Sequence, residues 1–465
     1  MNTNMKPSKG LLATFLGLVA GNTFAQILFL ISTPFLTRLY TPEQFGNFGV
    51  FIGLMAIFTV IVNFKFELAI PVPKSQKHAV YIWNVSLFFA TTFFFLVLIV
   101  VIFFNPELNV LLGLKESSKI LYFLPFSILA MGVSQATNFI HIRSERYSVT
   151  SIYKVLFAVV TISLQLAFYS NLTYGLSLGY TLGLVIGAII VVYKGRTELW
   201  LSDLRKIYCT SKRFSDFPKY SMPAGLFNSV GTNVPVILFI NFYGAAVAGF
   251  YTLAQRVLIA PTTTVGAAVA SIYISNARKY LSENVLSKKT IQIHQRLSDY
   301  AAPVLFMLLC YGGEVFTKIF GEEWRSGSQV VAVLAPWLYF VFTVSPISTT
   351  LVMIKKQKFT AKFDFCVALF RLTTVILCSL QFDFYQTLIV FSAVNTLSVV
   401  IYISFVFRFL NCPILSFVVI QSRALFIGMC LVIPSYLLIS NIYLSLFVSI
   451  ILTFVAYVIY YKRSE

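Results

Sequence analysis

Residues 63–77 read NFKFELAIPVPKSQK and stand between two greasy runs, GVFIGLMAIFTVIV (49–62) and VSLFFATTFFFLVLIVVIFF (85–104). Neither run alternates with a period of two, as the strands of a spanning barrel would. Counted with its neighbours, each reaches the roughly 20 apolar positions that carry a helix across ~30 Å of hydrocarbon. Between them Pro71 and Pro73 each lack a backbone donor and stop the first helix. Lys74 and Lys77 then hold the turn in water. The stretch reads as helix, charged turn, helix: the repeating unit of a polytopic membrane protein.

That unit recurs along the chain. With 58% of its 465 residues apolar, 11% charged and 47 phenylalanines, the sequence carries more apolar surface than a water-soluble core of this size hides. Apolar runs recur from residues 11–37 to residues 441–461 and predict an all-α integral membrane protein with about 14 transmembrane helices. The first run is too long for a signal h-region and lacks a small-residue cleavage site, so it is expected to stay as a helix.

A net charge of +19 raises the question of nucleic acid, and the placement of the 35 Lys and Arg answers it. With the amino terminus inside, most fall on alternate, cytoplasmic segments; the opposite face receives Arg38, Lys115, Lys119, Lys318 and Arg325. This is the positive-inside asymmetry, and it predicts both termini in the cytoplasm, with membrane lipids and no nucleic acid as partners. Only Arg256, in GFYTLAQRVLIAP, and Arg371, in CVALFRLTTVI, remain inside predicted spans.

Catalytic chemistry is sparse. The six cysteines lack CxxC spacing and an outward-facing pair, and His78, His141 and His294 are read as lying on separate loops, which argues against a metal. Phosphate loops, GxSxG and HExxH are missing. The longest exterior loop is read as NPELNVLLGLKESS (105–118), too short for an outside catalytic domain. Glu67 and His141 are the only loose candidates for a membrane-embedded glycosyl or acyl transferase.

The longest cytoplasmic connection, residues 194–220, looks like a joint between halves, and within it TELWLSDLRKIY suits an amphipathic interfacial helix with Leu199, Trp200, Leu204 and Ile207 toward lipid. A weak duplication accompanies it: LYTPEQFGNF (39–48) resembles FYGAAVAGFY (242–251), pairing Tyr40 with Tyr243 and Gly46 with Gly249. Gly175, Gly179, Gly183 and Gly187 make one smooth stripe, which reads as close packing in preference to a bend, and Gly17, Gly21 and Ala25 make a shorter one.

A charge at membrane depth is costly and marks a pathway or coupling site unless it is paired. Arg256 and Arg371 therefore read either as paired structural groups or as the lining of an anion-attracting cavity, where a planar guanidinium suits phosphate oxygens. Asn22 and Gln26 sit one turn apart on the first span and either join helices or line the same cavity; amides at Gln135 and Asn138, and at Asn228 and Asn233, pose the same choice. On a continuous helix Asn63 and Glu67 share a side and Lys65 points away. Lys65 is then either a snorkelling anchor or part of a basic entrance, with Glu67 as a proton- or cation-linked switch.

KFELAIPVPKSQKHA (65–79) together with PFLTRLYTPEQFGNFGVF (34–51) resembles the amino-terminal signature of bacterial polysaccharide and O-antigen flippases, of the multidrug/oligosaccharidyl-lipid/polysaccharide exporter superfamily. Lys65, Phe66, Glu67, Leu68, Ala69 and Ile70 match the basic, aromatic, glutamate, hydrophobic, alanine, isoleucine run in order; GFYTLAQRVLIAP (249–261) and IFGEEW (319–324) add to the likeness. The resemblance implies two six-helix lobes around a central cavity plus two added C-terminal helices: an N-terminal lobe at 1–193, a linker at 194–218, a C-terminal lobe at 219–408 and extra helices at 409–465. It implies a location in the bacterial inner membrane and no enzymatic activity. The expected cargo is a polyprenyl-diphosphate-linked oligosaccharide for O-antigen or related lipopolysaccharide assembly, with a polysaccharide polymerase and a chain-length regulator as further partners. Arg256, Arg371, Lys65, Arg38, Asn22 and Gln26 are the expected substrate contacts and Glu67 the ion-coupling residue. No cofactor is expected beyond H+ or Na+ coupling. A multidrug cation antiporter of the same superfamily is the alternative, disfavoured because both mid-span charges are positive.

Overall fold

A computed structural model describes residues 9–170, 173–195, 203–354 and 356–464. It is 88% helix, with no strand among the described residues. The chain divides into two compact units, Met1–Thr252 and Leu253–Glu465. The first holds α1 (Lys9–Leu39), α2 (Pro42–Ile61), α3 (Gln76–Leu111), α4 (Leu124–Arg143), α5 (Tyr147–Ala167), α6 (Gly175–Gly195), the linker helix α7 (Leu204–Arg213) and α8 (Met222–Tyr243), and ends within α9 (Ala245–Ser275). The second continues through α10 (Ala277–Ser282), α11 (Leu286–Phe320), α12 (Arg325–Val344), α13 (Thr350–Met353), α14 (Gln357–Ser379), α15 (Phe384–Phe409), α16 (Ile414–Leu438) and α17 (Ile442–Ser464).

Eleven helical segments among the described residues are long and apolar enough to cross a membrane. Helices α1, α14 and α17 stand outside that set. Polar content explains α14, which carries Lys358, Lys362, Asp364 and Arg371, and length explains α17, whose apolar part is only Ile442–Val458.

Several boundaries differ from the sequence reading, each for a local reason. The expected exterior loop at 105–118 is half helix, because α3 runs on to Leu111 past a kink at Phe104 (φ −124°, ψ 22°) just before Pro106. The Asn109 amide then donates to the Ser118 and Glu116 carbonyls at 2.8 and 3.1 Å, folding the remainder back on the helix end. His141 and His294 are not on loops: both are fully buried, in α4 and α11, where carbonyls of Val191 (3.0 Å) and Thr343 (3.3 Å) meet their rings. Of the proposed amphipathic segment, Leu199 and Trp200 lie outside the described residues. Ile207 of α7 packs against the cluster built by Phe66, Ile70, Ile82 and Trp83, so it covers protein instead of lipid. The reason is that the short turn after α2 leaves this apolar patch open, and the linker closes it.

The glycine stripe of α6 is a packing surface. Added Cβ atoms at Gly175, Gly179, Gly183 and Gly187 would strike Tyr40 and Phe168, Gln165, Thr161 and Tyr153 in succession, so from Gly175 to Gly187 the bare glycine face of α6 receives the side chains of α5 directly. Tyr40 donates to the Gln165 carbonyl at 2.6 Å, and the Gln165 amide to the Leu176 carbonyl at 2.9 Å, which closes the outer end of the same contact. The duplicated turns also meet: an added Cβ on Gly46 would collide with the Ala245 carbonyl, and one on Gly249 with the Pro42 carbonyl. Pro42 and Ala245, the first residues of α2 and α9, keep the same offset as Gly46 and Gly249. The turn before α9 needs Gly244, whose φ is +90°.

Gly183→Leu is expected to destabilise the purified protein by about 1–3 kcal/mol through overpacking. Gly312→Ala, where nothing lies within 4 Å of the added carbon, is expected to be neutral or slightly stabilising. Thermal unfolding in detergent compares the two.

Candidate functional site

The charged turn after α2 is where the backbone departs furthest from a regular path. Phe64 and Lys65 both adopt left-handed φ angles, 48° and 61°. Two such consecutive non-glycine residues cost on the order of 1–3 kcal/mol each and persist only where the surroundings hold them. Three anchors do so. The Asn63 amide donates to the Gly132 carbonyl of α4 at 2.9 Å. Phe64 and Phe66 both pack on Phe89 of α3, with centroids 4.7 and 5.4 Å away. Arg143, at the end of α4, donates to the Pro71 and Lys74 carbonyls and to Gln76 at 3.0–3.1 Å, clamping the exit of the turn.

This path corrects the helical reading of Lys65 and Glu67. Helix α2 ends at Ile61, and Phe66–Ala69 form a separate 3-10 turn, so Lys65 does not point away from Glu67. Its Nζ lies 3.7 Å from Glu67 Oε1. The Glu67 side chain is fully buried, and neither oxygen has a hydrogen-bond partner among the described residues. Burial pushes its carboxyl above the ordinary value of 4.5, and the adjacent Lys65 charge opposes that shift without cancelling it. The stem of Lys65 passes the start of α8, with its Cε 3.5 Å from where a Gly225 Cβ would stand. The arrangement can bind or release one proton in a dry pocket and, in doing so, free or retain a neighbouring cation.

The other expected site residues are not gathered at this turn. Arg38 is exposed in the last turn of α1, and the 20 residues of α2, ~30 Å of helix, separate its end of that helix from the end that carries Lys65. Asn22 accepts a hydrogen bond from Lys154 Nζ at 3.0 Å, joining α1 to α5, and Gln26 lies one turn further along α1. In the second unit Arg256 is half-buried on α9, and Arg371 of α14 sets its guanidinium 5.7 Å from the ring of Trp337 on α12.

Three charged residues within helices escaped the sequence reading, which left only Arg256 and Arg371 inside spans. Lys154 stands in the third turn of α5, although its place in the apolar run SIYKVLFAVV was a visible signal. Asp299 of α11 and Arg423 of α16 form a double hydrogen bond, 2.5 and 2.8 Å; Asp299 lies inside the apolar run that opens at residue 298, where its charge was a visible signal, whereas Arg423 stands one residue before the run that opens at 424. Among the described residues no group of three His, Cys, Asp or Glu side chains is placed to hold a metal.

Long apolar helices joined by short turns such as this one define a multi-pass, all-helical membrane protein. The fold is similar to a lipid II flippase, MurJ, in an inward closed conformation (TM-score 0.79, 14% identity, 96% of this chain and 99% of that one). It is also similar to an inward-facing multidrug resistance MATE family transporter (TM-score 0.64, 15% identity, 83% and 94%). Residues 11–273 match the family described as polysaccharide biosynthesis protein, and the chain belongs to that family. A curated relative, the teichuronic acid biosynthesis protein TuaB of Bacillus subtilis (strain 168), is 27% identical over 125 residues, a stretch that spans 27% of this chain and 26% of that protein.

A carboxyl raised by burial adds stability below its unfolded value and loses it as pH rises through the folded value. Wild-type protein is therefore expected to lose thermal stability relative to Glu67→Gln as pH climbs above 4.5. Lys65→Met should extend that loss, since it removes the charge that opposes the shift. Equal pH profiles for wild type and Glu67→Gln would refute the assignment.

Proposed function

We propose that the protein is a flippase that moves a polyprenyl-diphosphate-linked oligosaccharide repeat unit from the cytoplasmic to the outer leaflet of the bacterial inner membrane, for O-antigen or a related surface polysaccharide. The observation that carries this reading is a set of half-buried basic side chains, Lys154 and Arg256 in helices long and apolar enough to cross a membrane and Arg371 in α14, within a fold similar to that of a lipid II flippase. An anionic, hydrated head group does not cross hydrocarbon unaided, and fixed cations with wet surroundings lower that barrier. Arg256, Arg371, Lys65 and Arg38 present positive charge to the diphosphate at successive stages, and Asn22 and Gln26 offer amides to the sugar. Alternating access between the two lobes carries the cargo. Glu67, buried against Lys65, serves as the proton- or sodium-linked element near the cytoplasmic mouth. The Lys and Arg distribution supports cytoplasmic termini. A polymerase and a chain-length regulator are the partners that would consume the product.

The likeness to MATE transporters supports a second reading, a multidrug cation antiporter. Carboxylates facing a cavity would be needed to hold cationic drugs, whereas Asp299 is engaged by Arg423. The flippase reading is the better supported.

Deleting the gene should strip the surface glycan and cause its lipid-linked precursor to accumulate on the inner leaflet. Arg256→Ala and Arg371→Ala should each reduce surface glycan at least tenfold with unchanged protein in the membrane, the loss of about 1.4 kcal/mol of phosphate binding. Lysine at either position should retain part of the activity. Unchanged glycan in both alanine variants removes the site assignment, and a drug-resistance phenotype without a glycan defect selects the antiporter.

A further inference from the structure

The motif IFGEEW and the two last helices are not used by the proposed transport site, yet they border a groove of about 580 Å3 in the second unit. This volume lies within the ~300–1,000 Å3 range of small-molecule sites. One wall is the last turns of α11, with Cys310, Glu314 and Lys318; the second is the Glu322 turn and the start of α12, with Arg325 and Gln329; the third is the α16–α17 corner, with Tyr436 and Tyr443.

The wall from α16 and α17 is held in place. Tyr311, fully buried on α11 beside the lining residue Cys310, lies 2.7 and 3.0 Å from the hydroxyls of Ser445 and Ser449, and Ser445 donates to the Ser435 carbonyl at 2.7 Å. These bonds lock α16 and α17 onto α11. Tyr436 rests edge-on against Tyr311 with centroids 5.4 Å apart, so its ring is fixed from below while its far side stays exposed. Asn441 caps α17 by accepting from the Tyr443 and Leu444 amides, which sets the second ring.

The lining chemistry narrows the ligand. Glu314 and Glu322 balance Lys318 and Arg325, and Glu322 and Arg325 are paired at 3.0 Å. A diphosphate would require excess positive charge and an organic cation excess negative charge; the apolar surface of Leu309, Ala332 and Ile442 is interrupted by the four charged residues, which does not suit an acyl chain. Charged acceptors, charged donors, an amide and two exposed tyrosine rings together suit a neutral polyhydroxyl ligand, whose hydroxyls take both kinds of hydrogen bond and whose C–H faces lie on aromatic rings. Helix α11 is 35 residues long, ~52 Å, and bears Lys288, Lys289 and Arg296 toward its other end. The groove is therefore on the far side of the hydrocarbon from that basic end.

We propose that this groove is a saccharide subsite on the extracytoplasmic face, which receives sugar residues of the cargo. The proposal rests on the flippase reading for the source of the sugar and on the groove alone for the binding. It gives α16 and α17 a task, since they supply the aromatic wall.

The test uses full-length protein in lipid nanodiscs with cellobiose, chitobiose and a uronic-acid disaccharide as probes. Saturation-transfer NMR should show contact to sugar ring protons. Gln329→Leu and Tyr443→Ala should each weaken binding about five- to tenfold, and Tyr443→Phe should bind nearly as wild type. Cys310 lines the groove and provides an independent readout: in a variant where it is the only cysteine, sugar should slow its reaction with a thiol reagent. Absence of saturation transfer from every sugar, or equal signals in the alanine and leucine variants, overturns the proposal. Protection of Cys310 by phosphatidylglycerol but not by sugar also overturns it and makes the tyrosines interfacial lipid anchors. A deletion strain that keeps its surface glycan refutes the flippase reading and leaves a positive binding result standing.

Discussion

Hydrocarbon offers no hydrogen bonds, so each polar group at membrane depth must find its partner inside the protein. That constraint organises both units. In the first, Lys154 reaches Asn22 and thereby joins α5 to α1. In the second, the Gln421 amide donates to the His294 ring and to Ser298 at 2.9 and 3.0 Å while its oxygen accepts from Tyr339, tying α16 to α11 and α12. Two residues beyond Gln421, Arg423 holds Asp299. Helix α16 is thus attached through polar bonds as well as through the apolar packing of Ala424 and Leu425 on α11 and α12.

The same absence of a hydrophobic drive between helices explains the weight carried by small residues. Helix α6 approaches α5 through four glycines, and the starts of α2 and α9 touch through Gly46 and Gly249. These contacts gain dispersion energy only at very short range, so they tolerate no side chain. Where the neighbouring space is open, as at Gly312, the restriction disappears.

Regular structure is given up most at the turn between α2 and α3. The turn at Asn63–Ile70 has the two strained residues, the buried carboxylate and its lysine, and it is held by Asn63, Phe89 and Arg143 from three directions. Burial favours the protonated form of this carboxyl and the adjacent cation opposes that shift. Helix α7 packs on the same cluster through Ile207, which ties it to the turn.

Composition and the spacing of apolar runs were enough to establish the membrane setting, the all-helical class and the glycine face of α6, because each depends on residues near one another along the chain. The KFELAI run likewise marked the turn after α2. Its geometry was not legible: a continuous helix puts Lys65 and Glu67 apart, and only the packing of Phe64 and Phe66 on Phe89 and the grip of Asn63 on Gly132 bend the backbone enough to bring them together. Lys154 with Asn22, Arg423 with Asp299, and Tyr311 with its serines are pairings between distant segments, and a linear pattern carries no information about which face of one helix meets which face of another. Local periodicity decided what kind of protein this is; long-range contact decided which polar groups are satisfied and which stand ready to act.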